Sequence, residues 1–320
     1  MIIAEGVSKH YGDRIALADV SFQIAKGEVV GFLGLNGAGK TTMLKILCGL
    51  LLPSAGRIRV DGIDGMEAPL ELRRRIGFLP DRPPLYPEMT VRQMLEHAGR
   101  LNGVPKARIR ARVDEVLALA DLSHVADDLV EWLSHGYRQR VGIAQAIVHE
   151  PQLVVLDEPI SGLDPAQIVA MRGLIRGLKD KHTVLLSSHI LSEISQTCDR
   201  ILVLHNGRIV AQGDEATLVP GGDRIEVVLR GDGAAALRVA QGSVGVSDVS
   251  CEASADHTEG TVRLQAQVVS NDAREKLVAT LVGGGFGVRG VREVSSGLED
   301  VFLQLTDKQA SSWTQKGGVA

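Results

Sequence analysis

Gly34-Leu35-Asn36-Gly37-Ala38-Gly39-Lys40-Thr41 is the stretch on which the fold turns. It fits the phosphate-loop pattern G-x-x-x-x-G-K-[ST]. Before it, Glu28-Val29-Val30-Gly31-Phe32-Leu33 reads as a buried strand; after it, residues 40–52 carry apolar side chains at helical spacing. Strand, glycine turn and helix in that order are the context the pattern requires. Glycines let backbone N–H groups turn inward around phosphate oxygens, and the helix N-terminus adds the positive end of its dipole. Lys40 supplies a point charge for β- and γ-phosphates, and Thr41 can place its hydroxyl on Mg²⁺. The candidate nucleotide contacts here are Asn36, Gly37, Gly39, Lys40, Thr41 and Thr42.

Downstream, Leu153-Val154-Val155-Leu156 is a continuous apolar run, as in a parallel strand covered on both faces. Val184-Leu185-Leu186-Ser187 and Ile201-Leu202-Val203-Leu204 repeat it, with helical stretches between, which implies a parallel sheet. Ligands of such sheets bind at the carboxyl ends of the strands. Asp157 and Glu158 stand at one such end. Asp157 is suited to bind Mg²⁺, and Glu158 to polarise a water attacking the γ-phosphate. His189 follows another strand, where it can hydrogen-bond that phosphate and sense its presence.

From about 90 to 149 the pattern is helical, with Leu95, Ala98 and Leu101 on one stripe and Val113, Val116, Leu117 and Ala120 on another. Arg108, Arg110 and Arg112 read as a solvated helix face. Leu133-Ser134-His135-Gly136-Tyr137-Arg138-Gln139-Arg140 opens a further helix with Ser134 as its N-cap. A serine hydroxyl and a glycine N–H at a helix start also make an anion site. Nothing within one subunit needs a second one.

The chain has 320 residues, room for roughly two domains. Its net charge of −4 argues against a general polyanion binder, and 3% aromatic residues leave no stacking platform for single-stranded nucleic acid. No apolar run is long enough to cross a bilayer, and no basic stretch precedes an apolar core at the N-terminus. Cys48, Cys198 and Cys251 are odd in number and widely spaced, which suits buried thiols in a reducing compartment. The reading is a cytoplasmic protein; work at a membrane requires another chain to supply the span.

Pro220-Gly221-Gly222-Asp223 punctuates the chain as a linker. Beyond it, Val262, Leu264, Ala266 and Val268 alternate with polar residues, as in a half-buried strand, and 272–282 reads as a helix ended by Gly283-Gly284-Gly285. A small α+β domain of two β-α-β units is expected over 221–306, with a frayed tail at 307–320. The preceding domain then spans 1–220, with its helical part at about 88–150.

Together these motifs resemble the ATP-binding cassette subunit of ABC transporters, over about residues 2–218. The order and spacing carry the likeness: Walker A at 34–41, the signature at 133–137, Walker B at 153–158, the Asp-loop Gly162-Leu163-Asp164, and the switch histidine His189. The resemblance implies an α/β fold: a P-loop cassette ATPase with a mixed sheet core and a helical subdomain, here with the small α+β C-terminal domain. It implies ATP and Mg²⁺ as ligands and places Tyr11 where the family stacks an aromatic ring on adenine. It also accounts for the second anion site. Such subunits pair head to tail, as homodimers or with a similar cassette, so Ser134 and Gly136 would contact the γ-phosphate of the other chain's ATP and Asp164 would link the two sites. The implied partner is a transmembrane permease, docked beside residues 81–95, with the cassette peripheral on the inner face of the cell membrane. No nucleic-acid partner is implied.

Two positions depart from the family pattern. The signature usually reads Leu-Ser-Gly-Gly-Gln; here His135 replaces its first glycine and Tyr137 its glutamine. Hydrolysis is expected to survive, and His135 is expected to add pH sensitivity. The loop after Phe78 usually carries a glutamine touching the metal and the attacking water; Asp81 stands there, adding charge to an anionic site. The run Leu85-Tyr86-Pro87-Glu88-Met89-Thr90-Val91 is similar to the exporter-type (ABC-2) branch, which serves gliding motility, copper-site maturation and drug or polymer export. The terminal Leu298-Glu299-Asp300-Val301-Phe302-Leu303 is similar to accessory domains of that branch, whose implied roles are dimer support or regulation. An importer, a cassette ATPase acting on a macromolecular complex and a regulator that binds ATP without turnover remain as alternatives.

Overall fold

Alternation of buried and exposed residues lays the N-terminal stretch down as two antiparallel strands, β1 (Ile2–Tyr11) and β2 (Arg14–Ile24), closed by a two-residue turn at Gly12 and Asp13. β4 (Ala55–Val60) pairs with β1 and β5 (Ile63–Asp64) with β4, completing a four-stranded antiparallel sheet. The computed structural model describes residues 2–218, 224–253 and 261–293. The chain divides into two compact units, Met1–Glu215 and Ala216–Ala320.

The second sheet of the first unit holds β3 (Val29–Leu33), β6 (Ile76–Leu79), β7 (Leu153–Asp157), β8 (Thr183–Ser188), β9 (Arg200–His205) and β10 (Arg208–Gly213), ordered β10-β9-β3-β8-β7-β6. Five strands are parallel, and β10 returns antiparallel along the edge. Every residue of β3, β7 and β8 is buried, as continuous apolar runs require. The helix Lys40–Leu47 packs between the sheets, and Phe22 meets Phe32 edge-to-face at 5.3 Å. That helix stops short of residue 52. Gly49 takes a left-handed φ of 63°, and the N–H groups of Gly49 and Leu50 return to the carbonyls of Ile46 and Lys45, a Schellman stop.

The helical part consists of Val91–Leu101, Ile109–Leu119 and His135–Ile147. Thr90 and Gln93 form a capping box at the first. Leu95, Ala98, Val113 and Val116 face inward, whereas Leu101 is exposed at the last position of its helix. Arg112 corrects the solvated-face reading: it is 4% exposed. Its Nε donates to the Val148 carbonyl at 3.0 Å and its Nη2 to that of Ile147 at 2.7 Å. The end of the His135–Ile147 helix leaves carbonyls without intrahelical partners, and a buried guanidinium supplies them. All three cysteines are free; Cys48 is buried, while Cys198 and Cys251 are half-buried.

In the second unit β11 (Arg224–Arg230), the helix Gly233–Gln241, β12 (Val246–Ala253), β13 (Thr261–Val268), the helix Asn271–Gly283 and β14 (Gly287–Glu293) follow in the order β-α-β-β-α-β. The sheet runs β12-β13-β11-β14 with every neighbouring pair antiparallel. Ile225, Val227, Leu229, Leu264, Ala266 and Val268 pack against Ala236, Ala240, Leu277 and Leu281 of the helices. The linker at 220–223, the tail at 307–320 and the stretch 298–303 lie outside the described residues. No helix among the described residues is long and apolar enough to cross a membrane.

Candidate functional site

β3, β8 and β7 lie side by side and parallel, so the segments that follow their carboxyl ends converge. There a cleft of about 850 Å³ opens, lined by Tyr11, Asn36, Gly37, Gly39, Lys40, Thr41, Thr42, Asp81, Asp157, Glu158 and His189. Eleven residues chosen from dispersed motifs thus share one cavity. The glycine turn is built as phosphate binding requires. Gly39 has a φ of 110°, and a Cβ there would lie 2.6 Å from the Ala16 carbonyl oxygen. A side chain is excluded both by strain and by space.

Lys40 is 6% exposed. Its ammonium donates to the Gly34 carbonyl at 2.7 Å and pairs with Glu158 Oε1 at 3.2 Å. The other oxygen of Glu158 accepts from His189 Nδ1 at 2.9 Å. Lys40, Glu158 and His189 are therefore linked in one chain of polar contacts. Glu158 itself sits at a left-handed φ of 51°. For a residue with a Cβ this costs about 1–2 kcal/mol.

Ser187, 0% exposed, carries no motif in the sequence that marks it as functional, yet it holds this turn. Its hydroxyl donates to Asp157 Oδ1 at 2.6 Å and accepts from the Glu158 backbone N–H at 3.0 Å. Next to it, Ser188 donates to the buried Glu193 at 2.6 Å and accepts from the Ile190 N–H, fixing the loop that carries His189. The only signal was a serine pair ending an apolar strand. Burial pushes the Asp157 carboxyl above its usual range, opposed by hydrogen bonds from Ser187 and Thr41 and reinforced by the charges of Glu158 and Asp81. Asp81 is therefore within electrostatic reach of the same spot. Arg14, Lys45 and Arg82 also line the cleft. With Lys40 they give it four cationic side chains, a field suited to a polyphosphate. The Thr41 hydroxyl and the carboxylates Asp157 and Asp81, all lining the cleft, are oxygen donors of the hard kind Mg²⁺ prefers and could serve such an ion.

Ser134, Gly136 and Asp164 do not line this cleft. They gather elsewhere on the first unit. Ser134 caps the His135–Ile147 helix by accepting from the Tyr137 N–H at 3.4 Å, and Asp164 caps Pro165–Gly177 by accepting from Gln167 at 2.9 Å. A Cβ at Gly136 would lie 2.6 Å from Gln167 Oε1, so the two helix starts are packed together.

The ABC transporter family model matches residues 17–161. The chain is 37% identical over 308 residues to the daunorubicin resistance ATP-binding protein of Streptomyces coeruleorubidus, covering 95% of each. It is 35% identical to the Nod factor export ATP-binding protein I of Ralstonia nicotianae, over 97% of this chain and 94% of that one. Among solved structures, a dimeric ATP-binding cassette in a post-hydrolysis state, bound to ADP and Pi, superposes with a TM-score of 0.61 at 29% identity. That match covers 67% of this chain and 98% of the other. Relatedness over nearly the full length, joined to a phosphate loop facing two strand-end carboxylates and a histidine, means that the chain belongs to the ABC transporter family as an ATP-binding subunit.

Proposed function

We propose that this subunit binds ATP with Mg²⁺, hydrolyses it between two head-to-tail cassettes, and so drives export through a separate membrane-spanning permease. The observation that carries the reading is the Lys40–Glu158–His189 chain beside the phosphate loop. Lys40 and the loop N–H groups hold the β- and γ-phosphates, Asn36, Gly37, Gly39 and Thr42 shape their cradle, and Tyr11 stacks on the base. Thr41 and Asp157, with Asp81 nearby, would hold Mg²⁺, and the ion would supply charge neutralisation for the transferred phosphate.

Glu158 orients the attacking water and takes up its proton. When Lys40 turns to phosphate, Glu158 loses the cation at Oε1, and that oxygen is left to accept from the water. His189 donates from Nδ1 to Glu158, which in the neutral ring leaves Nε2 as an acceptor. Donation to a γ-phosphate oxygen therefore requires a second proton or release of Glu158, and either event makes His189 sensitive to the phosphate. Most of the catalysis is positioning and electrostatics.

Ser134 and Gly136 lie outside the cleft of their own chain, which supports their use in trans, with Asp164 at the seam. The solved dimer of a related cassette supports pairing of two copies. The relatives named for drug resistance and Nod factor export support outward transport and a place on the inner membrane face. The groove beside 81–95 is assigned to the permease. The test is Glu158→Gln. It should bind ATP, lose about 10²–10⁴-fold in turnover and accumulate as a nucleotide-bound dimer on size-exclusion chromatography. Turnover at the native rate would remove Glu158 as the base.

A further inference from the structure

His135 occupies a place where the signature pattern has glycine, and its ring is not idle. Nε2 lies 3.1 Å from the Ser161 carbonyl oxygen. A carbonyl only accepts, so Nε2 carries the proton and His135 is the donor. The same ring nitrogen lies 3.5 Å from where a Cβ of Gly162 would stand, and Gly162 has a left-handed φ of 74°.

Ser161 belongs to a short, tightly folded loop. Its N–H returns to the Glu158 carbonyl at 3.2 Å, and the Leu163 N–H returns to that of Ile160 at 3.4 Å. The loop leaves Glu158 in its left-handed conformation and ends on the Asp164 cap. Ser161 also lines the nucleotide cleft, whereas His135 does not. The bond therefore spans the boundary between the helical part, which presents Ser134 and Gly136, and the sheet core, which presents Glu158. Gln167 against Gly136 makes a second point of contact across the same boundary.

We infer that His135 is a positioning residue that couples the two half-sites of one chain: its bond to Ser161 ties the signature turn to the loop that aims Glu158. The inference rests on the head-to-tail reading, in which Ser134 and Gly136 grip the ATP bound to the partner. Displacement of the signature turn by that phosphate is then passed through Ser161 to the carboxylate at the chain's own ATP. The link is the single Nε2–H donation to the Ser161 carbonyl. Its signature is cooperativity between the two ATP sites.

The test compares His135→Ala with His135→Gln in the full chain, the glutamine amide offering an N–H of similar reach. ATP affinity by fluorescent-nucleotide titration and the melting temperature should stay near native in both. In His135→Ala, kcat should fall about tenfold and the Hill coefficient for ATP should drop towards one; His135→Gln should restore most of both. Native kcat and cooperativity in His135→Ala overturn the coupling, as does a glutamine variant as impaired as alanine. The double variant His135→Ala/Glu158→Gln separates the layers. If Glu158→Gln alone never pairs on ATP, the head-to-tail reading fails and takes the coupling with it. If both pair equally while His135→Ala turns over like the native chain, the coupling alone fails.

Discussion

The two units are built from similar elements and put them to different use. In the first, Lys40, Asp157, Ser187, Ser188 and Glu193 are all buried, and all but Lys40 lie on or just beyond the ends of β7 and β8. In the second, the centre is Ile225, Val227, Leu229, Leu264, Leu277 and Leu281, with Glu226 and Thr261 as the buried polar residues among those described. Burying a polar group costs stability unless it is hydrogen-bonded. The first unit accepts that cost most densely at the ends of β7 and β8, where Ser187 is tied to Asp157 and Ser188 to Glu193; Arg112, Gln139, His182, Thr183 and Thr197 are buried elsewhere in it. The second has its apolar side chains on one face of an antiparallel sheet beneath two helices, and its architecture is accounted for by packing. A concentration of partnered, buried polar groups separates the chemical part of this chain from its accessory part.

Three changes test that contrast. The largest effect is expected from Lys40→Ala, which removes the cation shared by the Gly34 carbonyl and Glu158. Turnover should fall by at least about 10²–10³-fold, read by phosphate release, with the melting temperature of the second unit unmoved. Leu277→Ala is the mirror experiment. Leu277 is fully buried, and its truncation should destabilise the second unit by about 2–5 kcal/mol. Phosphate release per folded molecule should stay native; loss of turnover at a temperature where that unit remains folded would erase the contrast.

The smallest effect concerns acid. Hydrogen bonds from Lys181 and Arg112 hold Glu115 down at about 2. A depressed carboxylate stabilises the fold at pH above its ordinary value of about 4.3 and loses that contribution as pH falls through the folded value. Glu115 is about half exposed, so screening limits the contribution to about 1 kcal/mol or less. Denaturant melts of native and Glu115→Gln should differ at pH 6 and converge near pH 2. A difference that persists at pH 2 would show that the Arg112 cap, not the charge, carries the effect.

Much of the site was legible because its parts are local. The phosphate loop is eight consecutive residues, and Asp157-Glu158 directly follow an apolar run. Ser187 was not legible as a positioning group, because its role depends on lying beside Asp157 across two paired strands. Arg112 departs from the solvated face that its sequence suggests for the same reason: its helix is amphipathic in sequence, but the carbonyls it serves lie 35 and 36 residues further along the chain. The early stop of the helix at Leu47 rested on one glycine whose left-handed geometry a periodicity count passes over.

The parallel sheet, the phosphate loop, the strand-end carboxylates and the change of character beyond residue 220 are all written in the order of the residues. Hydrophobic period and short motifs act over a few residues, and their meaning is written in order. That Lys40, Glu158 and His189 touch one another, that Ser134 and Gly136 lie outside that cleft, and that His135 reaches the loop behind Glu158 follow only from the folded chain. Those facts depend on which strands become neighbours and which helix starts pack together. Such choices are made by burial summed over the whole core, not by any single stretch of chain.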